Sequence, residues 1–376
     1  MDNISAAVDW LLNSGIQNTS DDHAGGFNGW FDLDAGSYPF VYSEITGYGI
    51  TTLLFAHSIR KENIFIGRAE LAARWVIDRA MHECGGARTR AYNSNPDAAY
   101  SFENNIIYIF DNGMILPALV NLHSITGKGE HLEAAKRIAD FLISMQKPDG
   151  MFYAAYDANN DRRIDSSAKW SSQSGSYHAK LAIGMADLYK TTKEEKYRQS
   201  AESICNASLK LQDNSGRFVT QKDEKSTHMH PHCYSAEGLL YAGATLNESR
   251  FIDSAAKATR WSLESQLPSG GVPCKFASGF NTNERSDTLA QVLRLAVYLN
   301  SVGLIKFEKE IERLHARLLD FQKKDGAHKG GFFYGTELDG TRRNHINSWC
   351  SFFALQALQM HAHFKNRSKI GLNLLI

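Results

Sequence analysis

Three carboxylates in this sequence stand where a polar segment gives way to an apolar one: Glu44, Asp111 and Asp287. Two carboxyl groups that face each other across a cleft, one protonated and one ionised, can hydrolyse a glycosidic bond. The apolar neighbours of Asp111, Phe110 and Met114, would raise its pKa towards the range of a general acid. We therefore predict Asp111 as the general acid, and Glu44 or Asp287 as the base.

Histidines occupy equivalent positions and indicate a second chemistry. A lyase or C5-epimerase that acts on a uronic acid removes a proton next to a carboxylate, and it needs histidine or tyrosine as acid and base. His178 and His232 suit this role, and Arg285 could neutralise the substrate carboxylate. A glycoside hydrolase is the first hypothesis, the lyase or epimerase the second, and a non-catalytic glycan-binding protein the third.

Other residues near the same segment starts could bind a sugar without taking part in the chemistry. Aromatic rings pack on the apolar faces of sugars, while amide and charged groups form hydrogen bonds with hydroxyl groups. The predicted substrate-binding residues are Tyr48, Tyr177, Tyr234, Gln291, Asn347, Trp349, Arg285 and His230.

The alternating histidines His228, His230 and His232 would point the same way in an extended segment and could meet one metal ion. No cysteine, aspartate or further histidine stands at a recognisable zinc spacing from them, so we predict no metal site. The polar segment 157–165 has part of a calcium-loop pattern, but it lacks the glycine and the final glutamate. No nucleotide-binding motif occurs, and no cofactor is predicted.

An internal repeat indicates which elements position these side chains. Each copy has an aromatic residue, a glutamine fifteen positions later and a glycine four positions beyond. The copies are His131…Gln146…Gly150, Tyr197…Gln212…Gly216, Phe251…Gln266…Gly270 and Phe307…Gln322…Gly326. Fifteen residues make about four helical turns, and the glycine ends the helix in a turn. Repetition of this kind predicts stacked helical hairpins.

Apolar and amphipathic helices alternate along the whole chain. The apolar helices begin near Ser43, Asp111, Tyr177, His232, Asp287 and Asn347, and the amphipathic ones cover 4–14, 66–82, 129–147, 194–212, 248–266 and 304–323. The apolar helices should be buried and the amphipathic ones should lie outside. We predict an all-α fold, an (α/α)6 barrel or toroid of six helical hairpins. Its inner helices would all begin at one end, where their free N–H groups favour an anionic or polyhydroxylated ligand.

Composition limits the remaining possibilities. The repeat runs through all 376 residues without a linker, so we predict a single domain, 1–376. The 41 basic and 41 acidic residues balance, which argues against a nucleic-acid partner. No apolar run approaches the ~18 residues of a membrane span, and no signal segment is recognisable. Five scattered cysteines indicate a reduced, cytoplasmic protein.

Several segments together resemble a known group of proteins: 38–39, 43–48, 110–113, 177–179, 232–240, 290–291 and 347–349. They resemble poorly characterised bacterial and archaeal proteins of surface-polysaccharide gene clusters. That group is similar to the six-hairpin superfamily of glycoside hydrolases, polysaccharide lyases and the toroid domain of glucuronyl C5-epimerases. Asn112 stands where the group more often has threonine. The resemblance covers essentially the whole chain and implies an oligo- or polysaccharide substrate, acidic ones included, and a role in polysaccharide biosynthesis.

Overall fold

In the computed structural model, which describes residues 2–92, 95 and 98–376, the chain forms twelve α-helices. The odd-numbered helices are amphipathic and lie outside. They are α1 (Asn3–Asn13), α3 (Asn63–Trp75), α5 (Gly129–Ser144), α7 (Glu195–Leu209), α9 (Ser249–Glu264) and α11 (Glu308–Asp320). A π-helical turn, Val76–Ala80, extends α3.

The even-numbered helices are buried over most of their length. They are α2 (Ser43–Arg60), α4 (Ile109–Thr126), α6 (Ala182–Thr192), α8 (Met229–Leu246), α10 (Ser286–Ser301) and α12 (Ser348–Lys365). A 3-10 turn, Ser176–Leu181, leads into α6. Five buried helices begin within three residues of their predicted starts; α6 begins five residues after Tyr177, because the 3-10 turn precedes it.

The buried helices form a closed ring. Each packs on the next one along the chain, from α2 to α12, and α12 packs back on α2. Each outer helix packs against inner helices, as α3 does on α2 and α5 on α4. The predicted (α/α)6 barrel is therefore confirmed.

The repeated glutamine and glycine join each hairpin to the next outer helix. Gln146 Nε2 donates to the carbonyl oxygens of Gly150, at 2.9 Å, and Ser200 on α7, at 3.2 Å. Gln212, Gln266 and Gln322 repeat this arrangement, and Gln322 reaches the Asn3 carbonyl of α1, which closes the ring. The prediction that Gly326 completes the fourth copy is wrong. Gln322 bonds to Gly330 instead, because four extra residues lengthen this turn.

Short strands lie between the helices. They are β1 (Trp30–Asp32), β2 (Phe40–Tyr42), β3 (Arg90–Tyr92), β4 (Ile106–Tyr108), β5 (Ala155–Asp157), β6 (Arg162–Ile164), β7 (Thr227–His228), β8 (Lys275–Phe276), β9 (Phe332–Phe333) and β10 (His345–Asn347). They pair antiparallel as β2-β3, β4-β5-β6, β7-β8 and β1-β10-β9. Strands β2, β4, β7 and β10 end directly before α2, α4, α8 and α12, so the paired strands hold the first turns of these inner helices.

All five cysteines are free, and within the described ranges no helix is long and apolar enough to cross a membrane.

Candidate active site

The first turns of the inner helices surround a cavity of about 200 Å³. This shared lining places the starts of the inner helices at one end of the barrel. The cavity brings together seven residues that the sequence singled out: Glu44, Asp111, Tyr177, His230, Tyr234, Arg285 and Trp349.

Glu44 and Asp111 form the carboxylate pair of the cavity. The Tyr42 hydroxyl lies 3.3 Å from Asp111 Oδ1 and also forms a hydrogen bond with Glu44. Because one hydroxyl contacts both carboxyl groups, the two groups lie close together in the cavity. Hydrolysis of a glycosidic bond by two carboxyl groups requires such a pair.

The surroundings of this pair favour one proton on Asp111. Burial raises the pKa of Asp111 well above its usual range, and the charge of Glu44 raises it further. Burial also raises the pKa of Glu44, but hydrogen bonds from Tyr42 and Tyr48 and the charge of Arg90 oppose that effect. Asp111 Oδ2 has no hydrogen-bond partner in the part of the chain that the structure describes, which further disfavours an ionised Asp111. The geometry therefore suits a neutral Asp111 beside an ionised Glu44.

Arg90, on β3, is a cation whose charge acts on both Glu44 and Asp111. Its guanidinium carbon lies 4.3 Å from the centre of the Phe40 ring, 4.6 Å from Tyr42 and 4.7 Å from Tyr100. No carboxylate of the described residues lies within ion-pair distance of it. Its charge nevertheless opposes the rise in the pKa of both Glu44 and Asp111. Arg90 therefore faces the cavity as a cation held by aromatic rings.

Asp287 is less accessible than predicted. It is fully buried, and it forms a two-point ion pair with Arg285 and accepts a hydrogen bond from Trp349 Nε1 at 2.8 Å. Burial alone would raise the pKa of Asp287, but the Arg285 charge lowers it to about 2. A carboxylate that is already paired and screened in this way is a poor base, so Asp287 positions Arg285 and Trp349 at the cavity wall.

His230 lines the cavity next to this group. Its Nδ1 lies 2.7 Å from Gln291 Oε1 and 3.5 Å from Asp287 Oδ2. Burial lowers the pKa of His230 to about 3, so the ring is neutral at physiological pH.

The structure does not bring His178 and His232 to the cavity, which corrects their predicted role. His232 Nδ1 accepts from the Phe218 N–H at 3.2 Å, and its Nε2 donates to the Ala258 carbonyl at 3.1 Å. Both ring nitrogens of His232 therefore connect α8 to its neighbours. His178 is fully buried beside Phe152 and Tyr177, and burial lowers its pKa to about 3.

Three predicted substrate-binding residues also lie behind the cavity. The hydroxyl group of Tyr48 forms a hydrogen bond with that of Tyr234, 3.1 Å away. Gln291 is fully buried behind His230, and Asn347 caps α12 by accepting from the Cys350 N–H at 3.2 Å. These residues lie behind the wall and do not line the cavity.

The loops contribute lining residues that sequence reasoning missed: Tyr42, Thr89, Arg90, Tyr100, Tyr108 and Trp170. For the four aromatic residues among them, the signal was the excess of aromatic residues between outer and inner helices, where the helical core does not require them; Thr89 and Arg90 had no such signal. The sequence does not show which of those rings turn inwards, because antiparallel pairings such as β2 with β3 set that.

The side chains of the alternating histidines do not point towards one position, as a shared metal ion would require. Residues 229–246 are helical, so His230 and His232 point in nearly opposite directions, about 200° apart. Within the described ranges no group of three histidine, cysteine, aspartate or glutamate side chains could hold a metal.

Comparison with known proteins identifies a family to which the sequence of this chain is similar. The sequence model of glycosyl hydrolase family 76 matches residues 50–237, half of the chain, and this range includes Asp111 and His230. No curated protein matches the chain.

Several solved structures share the fold. Cellobiose 2-epimerase from Bacillus thermoamylovorans B4167 has 12% identity and a TM-score of 0.78, over 95% of this chain and 99% of that one. A D-mannose isomerase has 13% identity and a TM-score of 0.77, over 96% and 97%. An unsaturated glucuronyl hydrolase specific for heparin has 12% identity and a TM-score of 0.71, over 97% of both chains. At these identities the likeness shows the toroid fold alone.

Proposed function

This chain belongs to glycosyl hydrolase family 76, and from that premise we propose that it cleaves a glycosidic bond with Asp111 as general acid. Glu44, ionised, acts as the base or nucleophile opposite it. The observation that carries the proposal is the contact of one hydroxyl, that of Tyr42, with both carboxyl groups at the mouth of the barrel. A hydroxyl that contacts both groups keeps them close together, and a pair of carboxyl groups is what this reaction requires.

The aromatic wall of the cavity supports a sugar as the substrate. Tyr177, Trp170 and Trp349 offer ring faces, and Arg285 offers N–H donors. Apolar faces with a few fixed polar groups are the usual lining of a small-molecule site. We infer that the substrate is an oligo- or polysaccharide, and the resemblance to surface-polysaccharide proteins supports a role in polysaccharide metabolism.

The test is product analysis with two probes, a tetrasaccharide of neutral hexoses and a tetrasaccharide of uronic acids. Hydrolysis should release new reducing ends from one of them without new ultraviolet absorbance. Absorbance from an unsaturated uronate would instead indicate elimination.

A second candidate function, proton transfer on a sugar by an epimerase, rests on His230. A neutral histidine with one nitrogen engaged by Gln291 can accept a proton at the other. The similar folds of a cellobiose 2-epimerase and a D-mannose isomerase are compatible with it. This reaction would exchange a sugar C–H for C–D in heavy water and release no reducing ends, so proton NMR separates it from hydrolysis.

The proposed roles of the two carboxyl groups predict a bell-shaped dependence of kcat/KM on pH. Activity should rise as Glu44 loses its proton and fall as Asp111 loses its own, and both pKa values lie above the ordinary carboxyl values. Replacing Glu44 with glutamine should lower kcat/KM by about 100-fold or more and remove the acidic limb. An unchanged acidic limb in that variant would show that another group titrates there.

A further inference from the structure

A chain of buried polar groups runs from the centre of the barrel to His230. Glu237, on α8, is fully buried, and its carboxylate accepts from Lys180 Nζ at 2.8 Å and from Arg294 at 2.5 Å. Gln291 Nε2 donates to Glu237 Oε2 at 3.2 Å. Gln291 Oε1 lies 2.7 Å from His230 Nδ1.

The charge of Glu237 determines which way the Gln291 amide points. Two cations hold Glu237 ionised, and an ionised carboxylate can only accept hydrogen bonds. The NH2 group of Gln291 must therefore face Glu237, which turns Gln291 Oε1 towards His230. A reversed amide would place two acceptors against each other inside the protein, which is unfavourable because neither would have a donor.

This orientation in turn determines the tautomer of His230. A carbonyl oxygen 2.7 Å away requires a proton on Nδ1. Asp287 Oδ2, 3.5 Å from the same nitrogen, favours that proton independently. Since the ring is neutral, Nε2 is left with a lone pair on the side of the cavity that His230 lines.

We propose that Glu237 and Gln291 are positioning residues that hold His230 in the Nδ1–H tautomer, so that Nε2 accepts a hydrogen bond from a substrate hydroxyl. The identity of that donor rests on the proposed function, whereas the tautomer does not. Gln291 contacts His230 directly, and Glu237 acts through Gln291. Their positions in the sequence do not show that the three side chains form one unit.

The direct test is the tautomer of His230 in the free protein, measured by proton–nitrogen NMR with ¹⁵N-labelled histidine. The His230 signal is assigned by its loss in His230→Gln. In the wild type, Nε2 should show the shift of an unprotonated nitrogen and Nδ1 that of a protonated one. The opposite pattern would overturn the proposal.

Two variants test the positioning residues themselves. Glu237→Gln allows the Gln291 amide to reverse, and Gln291→Met removes the acceptor, so both should increase the Nε2–H form of His230. Each should also lower kcat/KM for the tetrasaccharide by about tenfold, the value of one hydrogen bond to the ligand. An unchanged tautomer in both variants would contradict the proposal.

Gln356→Met is the matched control. Gln356 also bonds to Arg294, through its Oε1 at 2.8 Å, but it does not contact His230. This variant should disturb the same buried cluster and leave the tautomer unchanged. A wild type with the expected tautomer but no cleavage would refute the proposed function and leave the positioning role intact, so the two failures are distinguishable.

Discussion

Replacing Asp111 with asparagine should lower kcat by about a thousandfold, because an amide cannot give a proton to the leaving oxygen. Asparagine has nearly the same shape and keeps an oxygen for the Tyr42 hydroxyl, 3.3 Å away in the wild type. The expected loss is therefore one of chemistry and not of folding. Initial rates of reducing-end release, with circular dichroism to check the fold, measure it.

A matched buried carboxyl lies elsewhere in the same protein. Asp187, on α6, is buried, accepts from the Tyr241 hydroxyl at 2.6 Å and also has a pKa raised by burial. It does not line the cavity. Asp187→Asn should keep wild-type kcat within about twofold, since it removes no group that the reaction uses. Equal losses in the two variants would mean that a buried carboxyl, and not its place at the cavity, accounts for the effect.

Asp111→Asn, which should lower activity, should raise stability above the ordinary carboxyl pH range. Because the pKa of Asp111 is raised in the folded state, the folded protein binds this proton more tightly than the unfolded chain does. Stability is therefore lost as pH rises from the ordinary carboxyl range through the raised pKa. Asp111→Asn has no such ionisation, so its Tm should exceed that of the wild type at pH 8 and approach it near about pH 4. A lower Tm of the variant at pH 8 would contradict the raised pKa.

The sequence predicted the barrel because both of its determinants are local. Apolar and amphipathic helices differ in composition, and the recurring glutamine and glycine follow α5, α7 and α9 at one spacing. One further copy escaped detection. Gln17 bonds to the Gly25 carbonyl at 3.1 Å and to Arg68 of α3, and its glutamine and glycine are eight positions apart instead of four. A search for one fixed spacing cannot find a glutamine–glycine hydrogen bond that spans a longer turn.

The site was harder to predict because small shifts in a helix change which side chain faces inwards. The sequence placed the start of the fourth inner helix near His232, whereas α8 begins at Met229. Both His230 and His232 were predicted at the site, but each residue turns a helix by about 100°, so two residues that are two positions apart cannot both face the cavity, and only His230 does. The pairing of Asp287 was not predictable for another reason. Its partner Arg285 stands two positions earlier, and the sequence alone does not show that the two side chains pair.

Ring closure at Gly330 should be the most sensitive point for stability. Gly330 has φ +97°, and a methyl group there would lie 2.0 Å from the Ala6 carbonyl oxygen of α1. Both atoms belong to the main chain or are fixed to it, so no side-chain rotation can relieve the overlap. Gly330→Ala should therefore lower the free energy of unfolding by more than about 3 kcal/mol, in which about 1–2 kcal/mol is left-handed strain and the rest is displacement of α1.

Gly340→Ala separates these two contributions. Gly340 has φ +86°, and nothing lies within 4 Å of the position that a methyl group would take. It should therefore show only the strain, about 1–2 kcal/mol, in urea unfolding. The difference between the two variants measures how strongly the last hairpin is held against the first helix. If both variants lose the same free energy of unfolding, α1 moves aside without a loss of stability. The contact at Gly330 would then not hold the barrel closed.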